Sequence, residues 1–487
     1  MKKRNVLVEI ILSLCLIFNF TLSAENLFAA DAAWLSQVGA KTFPSGVKIY
    51  RVNDYGASKN KLTASTEAIQ KAIDECSANG GGKVTFEPGI YHTGAIFLKR
   101  NVNFVIGDGV EIRALIGLEY YPEIKTRVAG IEMKWPCGII NVLGQENVAI
   151  TGKGTLHAQG KYNWENYWNL RKEYGPKNLR WAADYDCKRV RTIEISNCKN
   201  ITVKDVTIKQ SGFWTVHIMY SKNATVDGVI IRNNIDGKGP STDGVDIDSS
   251  SYVEVKNCDT DCNDDNFVVK AGRDADGLRV NRPSEYIYIH DCISRKGGGP
   301  LVIGSETSGW IRHVKVENMK AIGSAHIVHL KSALTRGGGI EDIEISNTIG
   351  EDLKNFIKVN VNWNPTYSYA ELPDSIKDIP HHWKVLLEDT GKKGIPTIRN
   401  VVIHNCSATN VRQEIISVEG VKESIIQNFK IENVKVSAQH AGDLKFVKNF
   451  EFKNVEFLTP GEDHLKVSDS DHVELEDCSY SKTALAD

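Results

Sequence analysis

The sequence predicts an all-β chain wound as a parallel β-helix, on three observations. A short phrase recurs from Ile139 onward: two alternating apolar residues, then Asn or Asp, then often Cys. It ends at Cys198, Cys258, Cys292, Asn318, Asn347, Cys406, Asn433, Asn454 and Cys478, with intervals such as 34 (258 to 292), 26 (292 to 318) and 29 (318 to 347). The segments between are short alternating strands with no helical pattern. A period in the twenties to thirties is the mark of stacked coils, none of which can bury its apolar face alone. A sandwich would need hairpin turns, and a propeller a repeat nearer 40 residues. Asn, Asp and Cys at one register imply ladders of like residues at the corners or inside.

In chain order, Lys2, Lys3 and Arg4 precede an apolar run from Ile10 to Phe20 and small residues at Ala24 and Ala29–Ala30. This is the pattern of a secretory signal peptide over residues 1–30, cleaved after Ala30. The protein is therefore expected to be secreted or periplasmic, with 31–487 as one β-helix domain, a monomer. No later run approaches the roughly 18 apolar residues of a membrane span. Residues 47–108 read as an N-terminal cap. Within it Ser65–Cys76 is a short amphipathic helix with Ser65 or Thr66 as N-cap and Ala68, Ile69, Ala72, Ile73 and Cys76 on one face. A helix there would cover the open end of the first coil.

With 59 basic and 61 acidic residues the net charge is −2, so no overall field points to nucleic acid or a membrane surface. The nine cysteines after the leader show no CxxC pair or Cys/His spacing for zinc, and five of them fall on the repeated phrase. They read as small buried residues, and no metal or other cofactor is expected.

Chemistry concentrates in Ser241–Lys270. Asp243 opens a segment in which Val245 and Ile247 face one way and Asp246 and Asp248 the other. Asn263–Asn266 is too polar for a strand and reads as a turn feeding Phe267–Lys270. If the two strand starts stack one spacing apart, roughly 4.8 Å, Asp243, Asp264 and Asp265 share a surface. Close carboxylates suit acid and base work on a glycosidic bond. Parity alone leaves Asp246 and Asp248 as rivals to Asp243. Two stretches depart from the repeat, the Trp- and Tyr-rich 162–191 and the Pro-containing 361–387, and both read as long loops, where binding groups usually sit.

The run TDGVDID, CNDDNFVVKAG, GGGPLVIGSE and HLKSA, in that order, with NDYGA, TEAIQKAID and GFWTVHIMYSKNATVDGV before it, resembles glycoside hydrolase family 28, the polygalacturonases and rhamnogalacturonan hydrolases. The resemblance implies a right-handed parallel β-helix and metal-free hydrolysis with inversion. It places the general acid on Asp264 and the water-activating carboxylates on Asp243 and Asp265. An inverting pair is expected about 6.5–9.5 Å apart, leaving room for water. The family's Gly-His-Gly falls on Gly298-Gly299-Pro300 and its Arg-Ile-Lys on His329-Leu330-Lys331. Loss of that His and Arg tilts the expected pectic substrate toward rhamnogalacturonan over homogalacturonan.

Lys331 matches the family motif and suits a carboxylate as a point charge; His329 sits where the family has its Arg. Lys270, Arg273 and Arg336 are further basic candidates, although a pair with Asp274 or Asp276 explains Arg273 equally well. His217 and Trp214 could meet a sugar, or serve as structural residues. Three readings compete: a pectin-backbone hydrolase, the same fold acting on homogalacturonan or another pectic glycan from chain ends, and a carbohydrate-binding β-helix without turnover. A pectate lyase would need a calcium cage and a basic proton abstractor.

Overall fold

The computed structural model describes residues 32–41, 48–59, 61–461 and 463–482, and the expected leader at 1–30 lies outside them. The chain forms a right-handed parallel β-helix whose strands stack coil upon coil in ladders. The ladder that carries the site runs through Ile193–Ser196, Val216–Met219, Val245–Asp248, Phe267–Lys270, Leu301–Ile303, Val328–Lys331 and Ile357–Asn360. Its inward residues, Ile195, Ile218, Ile247, Val269, Ile303, Leu330 and Val359, follow one another in register, each with no exposure. Full burial of such a side chain contributes roughly 1.5–3 kcal/mol, so each coil is stabilised chiefly by its neighbours. Period-2 alternation sends the other residues of each strand outward, toward the site.

The repeated phrase has a conformational cause. Asn197, Asn257, Asp291, Asn318, Asn347, Asn405, Asn433, Asn454 and Asp477 all have φ between 50° and 55°. This left-handed region costs most side chains about 1–2 kcal/mol but suits Asn and Asp. Their side chains also form ladders: Asn454 Nδ2 donates to Asn433 Oδ1 at 2.8 Å, and Asn433 Nδ2 to Asn405 Oδ1 at 3.1 Å. The following cysteine turns inward, as at Cys198, Cys258, Cys292 and Cys406, and the nine cysteines of the described residues are free thiols.

The cap helix is Thr66–Ala78, with Ala68, Ile69, Ala72, Ile73 and Cys76 buried as expected. Ser65 occupies the N-cap position without capping: its Oγ accepts the Ser58 N–H at 3.1 Å, and Thr66 Oγ1 accepts Gly94 N–H at 2.8 Å. The hydroxyls tie the helix to neighbouring segments instead.

The stretch expected as a loop at 162–191 is largely helical, with Lys161–Tyr174 as a 14-residue helix and a short one at Ala183–Asp186. Trp164 and Tyr167 lie one turn apart on its buried face, and Trp164 Nε1 donates to the Ser211 carbonyl at 2.7 Å. The stretch at 361–387 carries short helices at Pro365–Ser368 and His381–Leu386. A hairpin of Glu123–Val128 and Ile131–Pro136 is antiparallel and stands outside the coils. These three additions pack in one apolar cluster, including Val128, Ile131, Trp135, Trp181, Tyr185 and Trp383, which also takes in Phe213 and Trp214 of the coil. Trp181 meets Trp383 edge-on at 5.1 Å, and its Nε1 donates to the Glu371 carbonyl at 3.2 Å.

Candidate active site

Adjacent coils bring the predicted carboxylates together. Val245 pairs with Phe267, the Gly244 N–H donates to the Asp265 carbonyl at 2.9 Å, and so Asp243 and Asp265 start neighbouring strands. One oxygen each from Asp243, Asp264 and Asp265 lies within 4.8 Å of the others. Gly244 permits this approach, because a Cβ there would stand 2.4 Å from the Asn266 carbonyl oxygen.

Two buried lysines compensate two of the three carboxylates. Lys270 Nζ donates to Asp243 Oδ2 and to Asp246 Oδ1, both at 2.7 Å, and Lys331 Nζ donates to Asp265 Oδ2 at 2.8 Å. Burial pulls both ammonium groups down, yet the facing carboxylates hold them above the ordinary lysine range. Asp264 accepts no lysine; its Oδ1 takes the Asp265 main-chain N–H at 3.0 Å. Burial, reinforced by the charges of Asp243 and Asp265, pushes the Asp264 carboxyl up to about 8. Burial also raises Asp243 well above the ordinary carboxylate range, against the pull of Lys270. Asp264 is the member of the triad without an ammonium partner, and that geometry favours the neutral form there.

The spacing of the three carboxylates is one a divalent cation could use. Asp243 and Asp265, however, each hold an ammonium group on one oxygen, with Asp243 Oδ1 left without a hydrogen-bond partner among the described residues, and three carboxylates beside two ammonium groups fit lysine compensation better than a calcium shell of six to eight oxygens. The carboxylates and lysines open into a pocket of about 470 Å³, counting its mouth, walled by Trp214, Arg180, Asp184, Glu306, Trp363 and Tyr367.

Residues 123–377, just over half of the 487-residue chain, match the sequence profile of glycosyl hydrolases family 28. The chain belongs to this family. It is 25% identical over 449 residues to an exo-poly-alpha-D-galacturonosidase of Dickeya chrysanthemi, covering 84% of this chain and 71% of that one. It is 23% identical over 416 residues to an endo-polygalacturonase of Pectobacterium carotovorum subsp. carotovorum, covering 82% and 96%. The solved exopolygalacturonase of Thermotoga maritima superposes with a TM-score of 0.73 at 26% identity, covering 87% of this chain and 94% of that one.

In this family 28 glycosidase the other predicted residues divide. Lys270, Lys331 and Trp214 line the pocket; Trp214 stacks on Phe213 at 4.8 Å and carries the Lys270 ammonium 4.1 Å above its ring. Arg273, expected as a substrate contact, lies beneath the pocket wall with no exposure. Its guanidinium donates to Asp274 at 3.0 Å, to the Tyr185 hydroxyl at 2.9 Å and to the Tyr367 carbonyl at 2.8 Å. Arg336 is likewise buried against Asp274. Both arginines clamp the 361–387 segment and do not face a ligand.

His217 is also buried away from the pocket, edge-on to Trp214 at 4.8 Å and 3.6 Å from Asp248. Burial lowers its imidazole to about 4. His329 is nearly buried, 3.3 Å from Asn360 Oδ1, and burial with Lys331 nearby depresses its basicity. The rivals by parity, Asp246 and Asp248, sit under the floor. Asp246 is bonded to Lys270 and Asp248 to Arg127 Nη1 at 2.7 Å.

The absent family histidine has a steric reason. Gly299 has φ +133°, and a Cβ there would fall 2.0 Å from the His326 carbonyl oxygen, so no side chain can be restored without moving the backbone. Sequence reasoning missed Arg180, Asp184, Glu306, Trp363 and Tyr367. All but Glu306 lie in the two stretches that break the repeat, and Glu306 follows the GGGPLVIGS run.

Proposed function

We propose that the protein hydrolyses galacturonosyl bonds of pectic chains, removing units from chain ends. The observation that carries the reading is Asp264, the one carboxyl of the triad without a lysine, held protonated between two carboxylates that have one. In this scheme Asp264 protonates the leaving oxygen while Asp243 and Asp265, fixed by Lys270 and Lys331, orient and deprotonate water. Release from chain ends is supported by the walls that the 161–186 and 361–387 segments raise around the triad, and by similarity to two proteins named as exo-acting.

Inversion of configuration is supported by the family resemblance. The triad oxygens, within 4.8 Å of one another, stand closer than the roughly 6.5–9.5 Å expected between an inverting acid and base. Proton NMR of the first-formed anomer tests it. A second reading, cleavage in rhamnogalacturonan, is favoured by Gly299 and His329 in place of the family's His and Arg. Incubation with homogalacturonan and with rhamnogalacturonan oligomers, with products resolved by size, separates the two. Monomer release from galacturonan supports the first reading. Mixed oligomers argue against action at chain ends, unsaturated sugars absorbing in the ultraviolet indicate a lyase, and binding without products leaves a carbohydrate-binding coil.

The basic, apolar and small-residue pattern of residues 1–30 supports export, with 31–487 acting as one monomeric domain outside the cytoplasm. No helix among the described residues is long and apolar enough to cross a membrane.

A further inference from the structure

We propose that Arg180 is the specificity-determining residue of the pocket, its guanidinium taking the carboxylate of a uronic acid unit whose glycosidic bond faces Asp264. This rests on the hydrolytic reading above and adds the group that selects an acidic sugar over a neutral one. Arg180 opens the short turn Arg180–Ala182 of the helical insertion and reaches the pocket from outside the coils. Five carboxyl groups, Asp184, Asp243, Asp264, Asp265 and Glu306, line that pocket against three bases. An anionic sugar entering it needs a cation with donors to spare. Lys270 gives two of its three N–H donors to aspartates and Lys331 gives one to Asp265, so the charge of each is already set against the triad carboxylates.

Arg180 is committed only in part. Its Nη1 donates to Asp184 Oδ2 at 2.8 Å, and among the described residues Nε and Nη2 have no hydrogen-bond partner. The side chain keeps 20% exposure, whereas the Asp184 side chain keeps 7%. Asp184 is held ionised by Arg180 and, on its other oxygen, by a second cation, so it keeps a charge partner when Arg180 turns to a ligand. Fully buried Arg189 holds its other oxygen at 2.8 Å, and the Ser241 hydroxyl donates to that same oxygen at 3.2 Å. Arg180 also lies 4.9 Å over the Tyr367 ring, whose carbonyl is gripped by buried Arg273. Asp184 and Tyr367 thus fix the guanidinium plane and leave its Nε–Nη2 edge free. That edge is the fork that matches a carboxylate in two parallel hydrogen bonds, which a lysine cannot reproduce.

The test compares wild type, Arg180→Met and Arg180→Lys on trigalacturonate and on its methyl ester, which shares the linkage and lacks the charge. Expected is a fall in kcat/KM of about 10- to 100-fold for Arg180→Met on the free acid, with turnover of the ester changed less than about threefold. Arg180→Lys should recover part of the loss. Equal losses on both substrates, or no loss on the acid, overturn the assignment. If Arg180→Met does not fold, the acid-to-ester ratio of Arg180→Lys decides, since an unchanged ratio removes the role of the fork. Titration of galacturonic acid and galactose into Asp264→Asn, with and without Arg180→Lys, reads the preference without turnover; equal binding of the two sugars by Asp264→Asn refutes it. Absence of wild-type turnover with retained uronate preference would sink the hydrolytic reading and spare this one.

Discussion

The main-chain N–H of Asp265 donates to Oδ1 of Asp264 at 3.0 Å, so neighbours in sequence meet through backbone and carboxylate while only Asp265 also holds a lysine. That asymmetry separates their chemistry. A single amide hydrogen bond does not offset burial and the nearby charges of Asp243 and Asp265, so the Asp264 carboxyl is raised.

Asp264→Asn should lower kcat by about 10²- to 10⁴-fold, the usual contribution of a general acid. In the wild type, kcat/KM should fall on the alkaline side as pH passes about 8, where Asp264 ionises. Stability should follow the same group. Its folded pKa lies above the unfolded value, so its contribution is fully present below about 4 and is lost as pH rises through about 8. Thermal midpoints across that window should slope downward in the wild type and less steeply in Asp264→Asn.

Lys270→Met removes the one ammonium that Asp243 and Asp246 share. Asp243 in the pocket and Asp246 beneath it would be left without that cation, at a cost of about 3–5 kcal/mol. A drop in the denaturant midpoint of that size, together with loss of turnover, is the expected result. Lys270→Arg should recover stability better than activity.

Arg273→Ala should loosen the 361–387 segment without removing any group that lines the pocket. It deletes donors to the Tyr367 and Ser368 carbonyls and the packing 4.5 Å from the Tyr367 ring. Limited proteolysis should find new cleavage sites within 361–387, and KM should rise more than kcat falls. Unchanged proteolysis would show that Trp181 and Trp383 hold the segment unaided.

Asn433 tests the corner ladder. Asn433→Gly keeps the left-handed backbone and loses two side-chain hydrogen bonds, about 0.5–1.5 kcal/mol each. Asn433→Val loses the same bonds and adds about 1–2 kcal/mol of backbone strain. The valine variant should melt below the glycine variant in parallel thermal scans.

What could be read without coordinates is what repeats or stands close in sequence. Asn405 and Asn433 announce corners because every coil turns at one register, and Cys198 and Cys258 mark the same small inner space. Asp243, Asp264 and Asp265 could be placed together because strand spacing alone brings two strand starts into contact. Arg180 and Asp184 could not be placed, since they reach the pocket from an insertion whose helix is docked by Trp164 on Ser211 and whose following turn is docked by Trp181 on the 361–387 segment. Arg273 misled for a related reason. A basic residue near a strand end suits a ligand until Tyr185 and Tyr367 close over it, and that closure depends on chain nearly a hundred residues away. The hairpin at 123–136 carries no period and gave no signal.

The interlock of Trp181 with Trp383 has an evolutionary consequence. The rim is braced by an apolar cluster that joins both segments to Phe213 and Trp214 of the coil, so depth and selectivity at the mouth depend on the two segments together. A relative with an open cleft could acquire this rim by transplanting both segments together, whereas either half moved alone would lack the tryptophan that seats it.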